Sequence, residues 1–181
     1  MMKRIKSETK NMRELAEDTL TLAWLENENP DLRQECFDLI ELVEAIVEDA
    51  RFEFSSKQIL LNSSDTLILR NSNQRALAHA IENILRNGLR YTPEGEQLSI
   101  DIVSEKSTVK LTLTDSGPGI DPQLYSKMFT PFFKAHNQVG TRKGFGVGLA
   151  LAKRHIEAVR GSVSARNAPD KGLCVSIELP I

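Results

Sequence analysis

Residues 1–28 contain neither glycine nor proline, and the run stops at Asn27-Glu28-Asn29-Pro30. Within it Ile5/Met12 and Leu15/Leu22 stand seven apart, with Leu25 close behind, and Lys, Arg, Glu and Asp fill the gaps. That spacing predicts one helix laid along another, and Pro30 ends it because proline cannot continue a helix. One amphipathic helix cannot bury its stripe alone, so its partner is expected to be a helix outside this sequence. The 181-residue length leaves room for one ordinary domain behind it.

A formal net charge of −2 gives no clustered basic excess for a nucleic-acid backbone. The longest apolar stretches fall short of the ~20 residues that span a bilayer, and the basic start lacks the apolar centre of a signal peptide. No membrane contact and a cytoplasmic location are therefore expected. The two cysteines, Cys36 and Cys174, are far apart and their spacing suggests no metal, which predicts reduced core roles.

Three more helices are predicted: one around Leu39, Leu42, Val43, Ile46 and Val47, one over 73–90, and one carrying Leu149, Ala152, Ile156 and Val159, with Gly161 as its stop. Strand-like runs lie near 59–61 and 66–69 and over 97–103, 108–114, 161–166 and 173–179. Between Ser116 and Gly146 there is no long periodic pattern, and a loop that long inside a compact domain is usually functional.

Four short patterns carry chemistry. On the 73–90 helix, Asn83, Asn87 and Arg90 fall in one arc opposite Leu77, Ile81 and Leu85. A solvated polar face is the bland account. Yet Asn is a mediocre helix former and Gly88 costs about 1 kcal/mol relative to Ala, whereas Asn oxygens are acceptable Mg²⁺ ligands beside phosphate. Asp115-Ser116-Gly117-Pro118-Gly119-Ile120 follows a strand directly. Alone it reads as a tight turn, or as an acid placed to accept from an amino group such as that of adenine. Gly144-Phe145-Gly146-Val147-Gly148-Leu149 opens the last helix, where exposed N–H groups make a phosphate site. Its spacing matches neither a P-loop nor the dinucleotide fingerprint. Met128-Phe129-Thr130-Pro131-Phe132-Phe133-Lys134 is an apolar run in a polar loop: a small satellite core, or the seat of a lid whose Lys134, Arg142 and Lys143 reach phosphates.

In order and spacing these patterns resemble the N, G1, F and G2 boxes of sensor histidine kinases, over nearly all of residues 35–181. The resemblance implies an α/β fold, an α+β two-layer sandwich of the GHKL or Bergerat type: a mixed sheet with helices on one face, preceded by one long helix. It implies residues 1–30 as the second helix of a dimerisation and phosphotransfer hairpin and 31–181 as the ATP-binding catalytic domain. ATP and Mg²⁺ are the implied cofactors, with Asn87 as the main metal ligand and Asn83 in support. Arg90 would meet phosphate and Tyr91 would lie on the adenine ring. Asp115 would take the adenine amino group, with Gly117, Gly119 and Ile120 shaping that pocket. Lys134, Arg142, Lys143, Gly144, Phe145, Gly146, Val147, Gly148 and Leu149 would line the phosphate side. Gly88 stands where many relatives have Ala, which is expected to loosen the helix.

No His-Glu or His-Asp acceptor segment occurs, and His79, His136 and His155 lie elsewhere, so the acceptor is expected upstream of Met1 and the fragment alone is expected to be inactive. The implied partners are a cognate response regulator and a second copy through the full hairpin, in the cytosolic part of an inner-membrane sensor kinase. An ATP hydrolase of the same superfold is the competing class, but such relatives carry an acid where Asn83 stands, and Glu82 is about 100° round the helix. A nucleotide-responsive module without turnover and a serine kinase of the anti-sigma type are further alternatives; the N-terminal helix argues against the latter. The 121–143 loop is expected to act as a lid seated by Phe129, Phe132 and Phe133 and hinged at Gly140 and Gly144.

Overall fold

The computed structural model describes residues 2–28, 32–64, 66–134 and 145–181, with backbone only for 2–11, 14, 26 and 28. Chain order is α1 (Met2–Glu28), β1 (Glu35–Asp38), α2 (Leu39–Glu53), β2 (Gln58–Asn62), β3 (Ile68–Ser72), α3 (Gln74–Tyr91), β4 (Gln97–Glu105), β5 (Thr108–Thr114), α4 (Gly148–Ala158), β6 (Ser162–Asn167) and β7 (Leu173–Pro180). Five strands form a mixed sheet in the order β2-β4-β5-β7-β6, with β2 and β4 parallel and the other pairs antiparallel. Alternation explains which face is covered: Leu98, Ile100 and Ile102, Val109, Leu111 and Leu113, and Val175, Ile177 and Leu179 all join one core. Ile46, Leu77, Ile81, Leu85, Ala152 and Ile156 of α2, α3 and α4 complete it from one side. The fold is the expected two-layer sandwich.

Local chemistry sets the helix ends. The Asp38 carboxylate accepts from Ile40 N–H at 2.8 Å to cap α2, and from Leu67 N–H at 3.1 Å, which ties the entry of β3 to the same side chain. Asn73 caps α3 by accepting from Ala76 N–H at 2.9 Å, and Glu35 accepts from Gln74 N–H at 2.6 Å. That second bond comes from β1, a strand absent from the expected set, which pairs antiparallel with β3. β1 also corrects the reading of Cys36: it is exposed, whereas Cys174 is buried as expected. At the end of α4, Gly161 N–H returns to Ile156 O at 2.8 Å, but the left-handed residue is Arg160, at φ 60°, not the glycine.

The largest departure concerns α1. Its stripe has a partner inside this chain: Leu22 and Leu25 are buried against Val147, Ala150, Leu151 and Ala158, with Leu15 packed alongside. α4 is thus apolar on two sides, toward the sheet and toward α1. Met12, Leu20 and Trp24 remain exposed on α1, so the helix has a second apolar side that α4 does not cover. Truncating a buried leucine removes about 2–3 kcal/mol. Leu25→Ala is therefore expected to release α1 from α4 and raise hydrogen exchange of the Leu15–Leu25 amides roughly tenfold or more. Exchange in β4 and β5 should not change; unchanged α1 protection would show that the contact contributes little.

Candidate nucleotide-binding site

α3 supplies one wall. Leu77, Ile81 and Leu85 are fully buried, which turns Asn83 and Asn87 into half-buried positions and leaves Arg90 exposed beyond them. Asn83 reaches across to the start of α4. A Cβ placed on Gly148 would stand 2.8 Å from Asn83 Oδ1, so only glycine permits this approach. Whereas α2 and α3 each have a side-chain cap, α4 has none at Val147. Among the described residues its first turn has no side-chain cap, the arrangement that leaves a helix N-terminus able to accept phosphate. Val147 itself is buried under α1, Leu149 packs on the core, and Phe145 is largely exposed. Gly146 accepts from Phe132 N–H at 2.8 Å, which joins the aromatic run to the glycine-rich turn.

The other wall is built around Asp115, which is only 6% exposed. Its Oδ1 accepts from Gly117 N–H at 2.8 Å and from Leu173 N–H at 3.0 Å. Among the described residues no hydrogen bond reaches Oδ2, which faces Gly88. Burial raises the carboxyl pKa, and the Leu173 and Gly117 N–H groups pull it back down. One oxygen is thus saturated by backbone while the other awaits a donor, the arrangement suited to an amino group. Gly117 packs against Tyr91, and a Cβ there would lie 3.0 Å from Tyr91 Cβ. Gly88 lies close against the sheet: a Cβ there would meet Leu98 Cδ1 at 2.7 Å, so an alanine would require that leucine side chain to shift. The helix is closed below by Thr92, whose N–H and hydroxyl both donate to Gly88 O, and by Lys57, whose Nζ donates to Leu89 O.

The structure thus brings Asn83, Tyr91, Asp115, Gly117 and Gly148 together, along α3 and at its two ends. Gly119 and Ile120 sit at the far side of the Asp115 loop, and Lys134 is exposed at the end of the aromatic run. Within that run Met128 and Phe129 are buried and Phe133 packs on the core, but Phe132 is 62% exposed and seats nothing. Arg142, Lys143 and Gly144, together with His136 and Gly140, lie outside the described residues. Among the described residues no three His, Cys, Asp or Glu side chains converge as a metal site.

Sequence reasoning missed Gly172 and Leu173, which clasp Asp115, and Asn167, which holds Ile120. It also missed Lys57. His155 is buried and stacked on His79, ring centroids 5.8 Å apart, in the seam between α3 and α4. The near-parallel rings, 16° apart, cannot aim their in-plane lone pairs at one shared ion.

Comparison with known proteins identifies the family. Residues 72–181 match the family described as histidine kinase-, DNA gyrase B- and HSP90-like ATPase. The chain is 35% identical over 181 residues to the sensor protein PfeS of Pseudomonas aeruginosa, covering 99% of this chain and 40% of PfeS. It is 28% identical to the sensor histidine kinase CpxA of Escherichia coli, over 99% of this chain and 39% of CpxA. The chain therefore spans well under half the length of these relatives. In fold it is similar to the Acinetobacter baumannii histidine kinase AdeS, with a TM-score of 0.79 at 23% identity, covering 99% of this chain and 83% of that one. It is also similar to the mycobacterial sensor histidine kinase MprB, with a TM-score of 0.72 at 24% identity over 81% of this chain and 96% of that one. The chain belongs to the histidine kinase-, DNA gyrase B- and HSP90-like ATPase family, with the ATP-binding catalytic domain of its sensor histidine kinase members.

Proposed function

We propose that this chain holds Mg-ATP and presents its γ-phosphoryl to a histidine on a hairpin helix, for relay to a response regulator. The observation that carries the reading is Asp115: a buried carboxylate with one oxygen held by two backbone N–H groups and the other turned toward Gly88. Asp115 would accept from the adenine amino group, with Tyr91 against the ring and Gly117, Gly119 and Ile120 around it. At the opposite end Asn87 would be the main Mg²⁺ ligand and Asn83 would support it beside the uncapped start of α4, where Gly146, Val147, Gly148 and Leu149 approach the phosphates. Two amide oxygens without a carboxylate suit Mg²⁺ that arrives on phosphate, since this ion keeps most of its water and borrows few protein ligands. When bound, it would neutralise charge between the β- and γ-phosphates. Arg90 and Lys134 would add positive charge, with Arg142 and Lys143 beyond them.

Residues 1–30 would form the second helix of the dimerisation hairpin and 31–181 the catalytic domain, in a homodimer. The exposed Met12, Leu20 and Trp24 support this, because they leave α1 an apolar side for further helices. No described helix is long and apolar enough to cross a membrane; we place the chain in the cytosolic part of an inner-membrane kinase. His155 is buried in the seam between α3 and α4, so its ring is not offered as a phosphoryl acceptor.

Calorimetry tests the assignment. Asn87→Ala is expected to weaken ATP binding about tenfold and to remove its Mg²⁺ dependence, while Asp115→Ala weakens it by a similar factor with the metal dependence retained. Wild-type affinity in either variant would sink the assignment.

A further inference from the structure

We propose that Asn167, at the end of β6, is a positioning residue for the nucleotide, holding the 117–120 loop in the shape that admits the base. This rests on the ATP-binding reading above. The Asn167 side-chain amide pairs with the Ile120 peptide in both directions: Oδ1 accepts from Ile120 N–H at 3.0 Å, and Nδ2 donates to Ile120 O at 2.9 Å. Asn167 N–H in turn donates to the Tyr125 hydroxyl at 2.8 Å. Gly119 has φ +72°, and a Cβ there would lie 2.7 Å from Asn167 Oδ1, so the amide rests directly on the loop backbone.

The loop is therefore anchored twice. Asp115 Oδ1 fixes it at Gly117, and Asn167 fixes it at Ile120. Between the anchors lies Gly119 in the left-handed region, a residue that crosses to other conformations with little steric resistance. With the Ile120 anchor released, Gly119 is free to turn and the pocket edge beside Tyr91 and Asp115 loses its form. Through Tyr125 the same residue reaches the segment that leads into the aromatic run. Asn167 is exposed, so its bonds compete with water and add little to global stability. Their effect belongs to binding, where a loop ordered in advance spares the ligand the cost of ordering it.

The test titrates the 181-residue chain with Mg-ATP and with Mg-tripolyphosphate, which lacks a base, alongside thermal melting. Asn167→Ala removes both bonds and is expected to weaken ATP about tenfold. Its tripolyphosphate affinity and melting temperature should stay close to wild type. Asn167→Asp keeps an acceptor for Ile120 N–H but sets a carboxylate oxygen against Ile120 O. It should therefore fail to rescue ATP binding. An Asn167→Ala chain that binds ATP within about twofold of wild type overturns the proposal, as does equal weakening of both ligands. If the alanine variant does not fold, the isosteric aspartate variant decides: wild-type ATP affinity there overturns it. A wild-type chain that binds no ATP overturns the underlying reading instead, which keeps the two failures apart.

Discussion

Gly172→Ala is expected to destabilise the fold by about 3 kcal/mol or more and to abolish ATP binding. Gly172 has φ +98°, and a Cβ there would stand 1.7 Å from the Asp115 carbonyl oxygen, 2.6 Å from its carbonyl carbon and 3.1 Å from Oδ1. No rotamer relieves this collision, because the nearest atoms are backbone. The chain would have to move where it is most committed: Asp115 N–H donates to Leu173 O at 3.0 Å, Leu173 N–H donates to Asp115 Oδ1 at 3.0 Å, and Ala168 N–H donates to Gly172 O at 2.9 Å. Displacing Gly172 therefore pulls away the donor that holds the buried carboxylate, and stability and site are lost together. Urea unfolding and ATP titration measure the two effects. Lys171→Ala is the control: its ion pair with Glu96, at 3.5 Å, is exposed and worth little. A Gly172→Ala protein that is as stable as Lys171→Ala and binds ATP would refute this account of the clasp.

Why Gly172 escaped the sequence reading is a matter of distance along the chain. Asn83, Asn87 and Tyr91 share one helix, and Asp115 through Ile120 are consecutive, so their patterns are visible within a short window. Gly172, Leu173 and Asn167 come from the β6–β7 turn, and Asn167-Ala168-Pro169-Asp170 reads locally as nothing more than a turn. Only the antiparallel pairing of β5 with β7, which sets Thr114 opposite Cys174, brings that turn to Asp115. The strand β1 was hidden differently. Four residues are too few to show alternation, and its main contribution, the Glu35 carboxylate on Gln74 N–H, is a tertiary contact.

α1 shows the opposite case. Its heptad-like spacing signalled a helix needing a helical partner, and α4 of this same chain covers one side of it. The clue lay in α4, where Ile156 and Ala152 face the main core while Ala150, Leu151 and Ala158 form a second apolar side. A short helix with two apolar sides lies between two layers. Because Val147 belongs both to that second side and to the glycine-rich turn, the seat of α1 adjoins that turn.

Acidification is expected to cost this fold about 3 kcal/mol through His155 alone. Its pKa is lowered from 6.5 to about 4, first by burial, then by the charge of His79 stacked against it and that of Arg75 one turn earlier on α3. Its Nδ1 is buried without a hydrogen-bond partner among the described residues, which agrees with a ring held neutral. Above pH 6.5 both folded and unfolded chains carry it uncharged, and it adds no pH dependence. Between 6.5 and about 4 the unfolded chain takes up a proton that the folded chain refuses, so stability falls with pH across that window. Below about 4 both states are charged and the loss is complete. His155→Leu removes the titrating group and keeps an apolar filling between α3 and α4. Urea unfolding of both proteins from pH 7 down to pH 4 measures the difference, in which the shared titration of the carboxylates cancels. Wild type should lose about 3 kcal/mol more than the leucine variant over that range, and curves that stay parallel would show that His155 is not the group responsible.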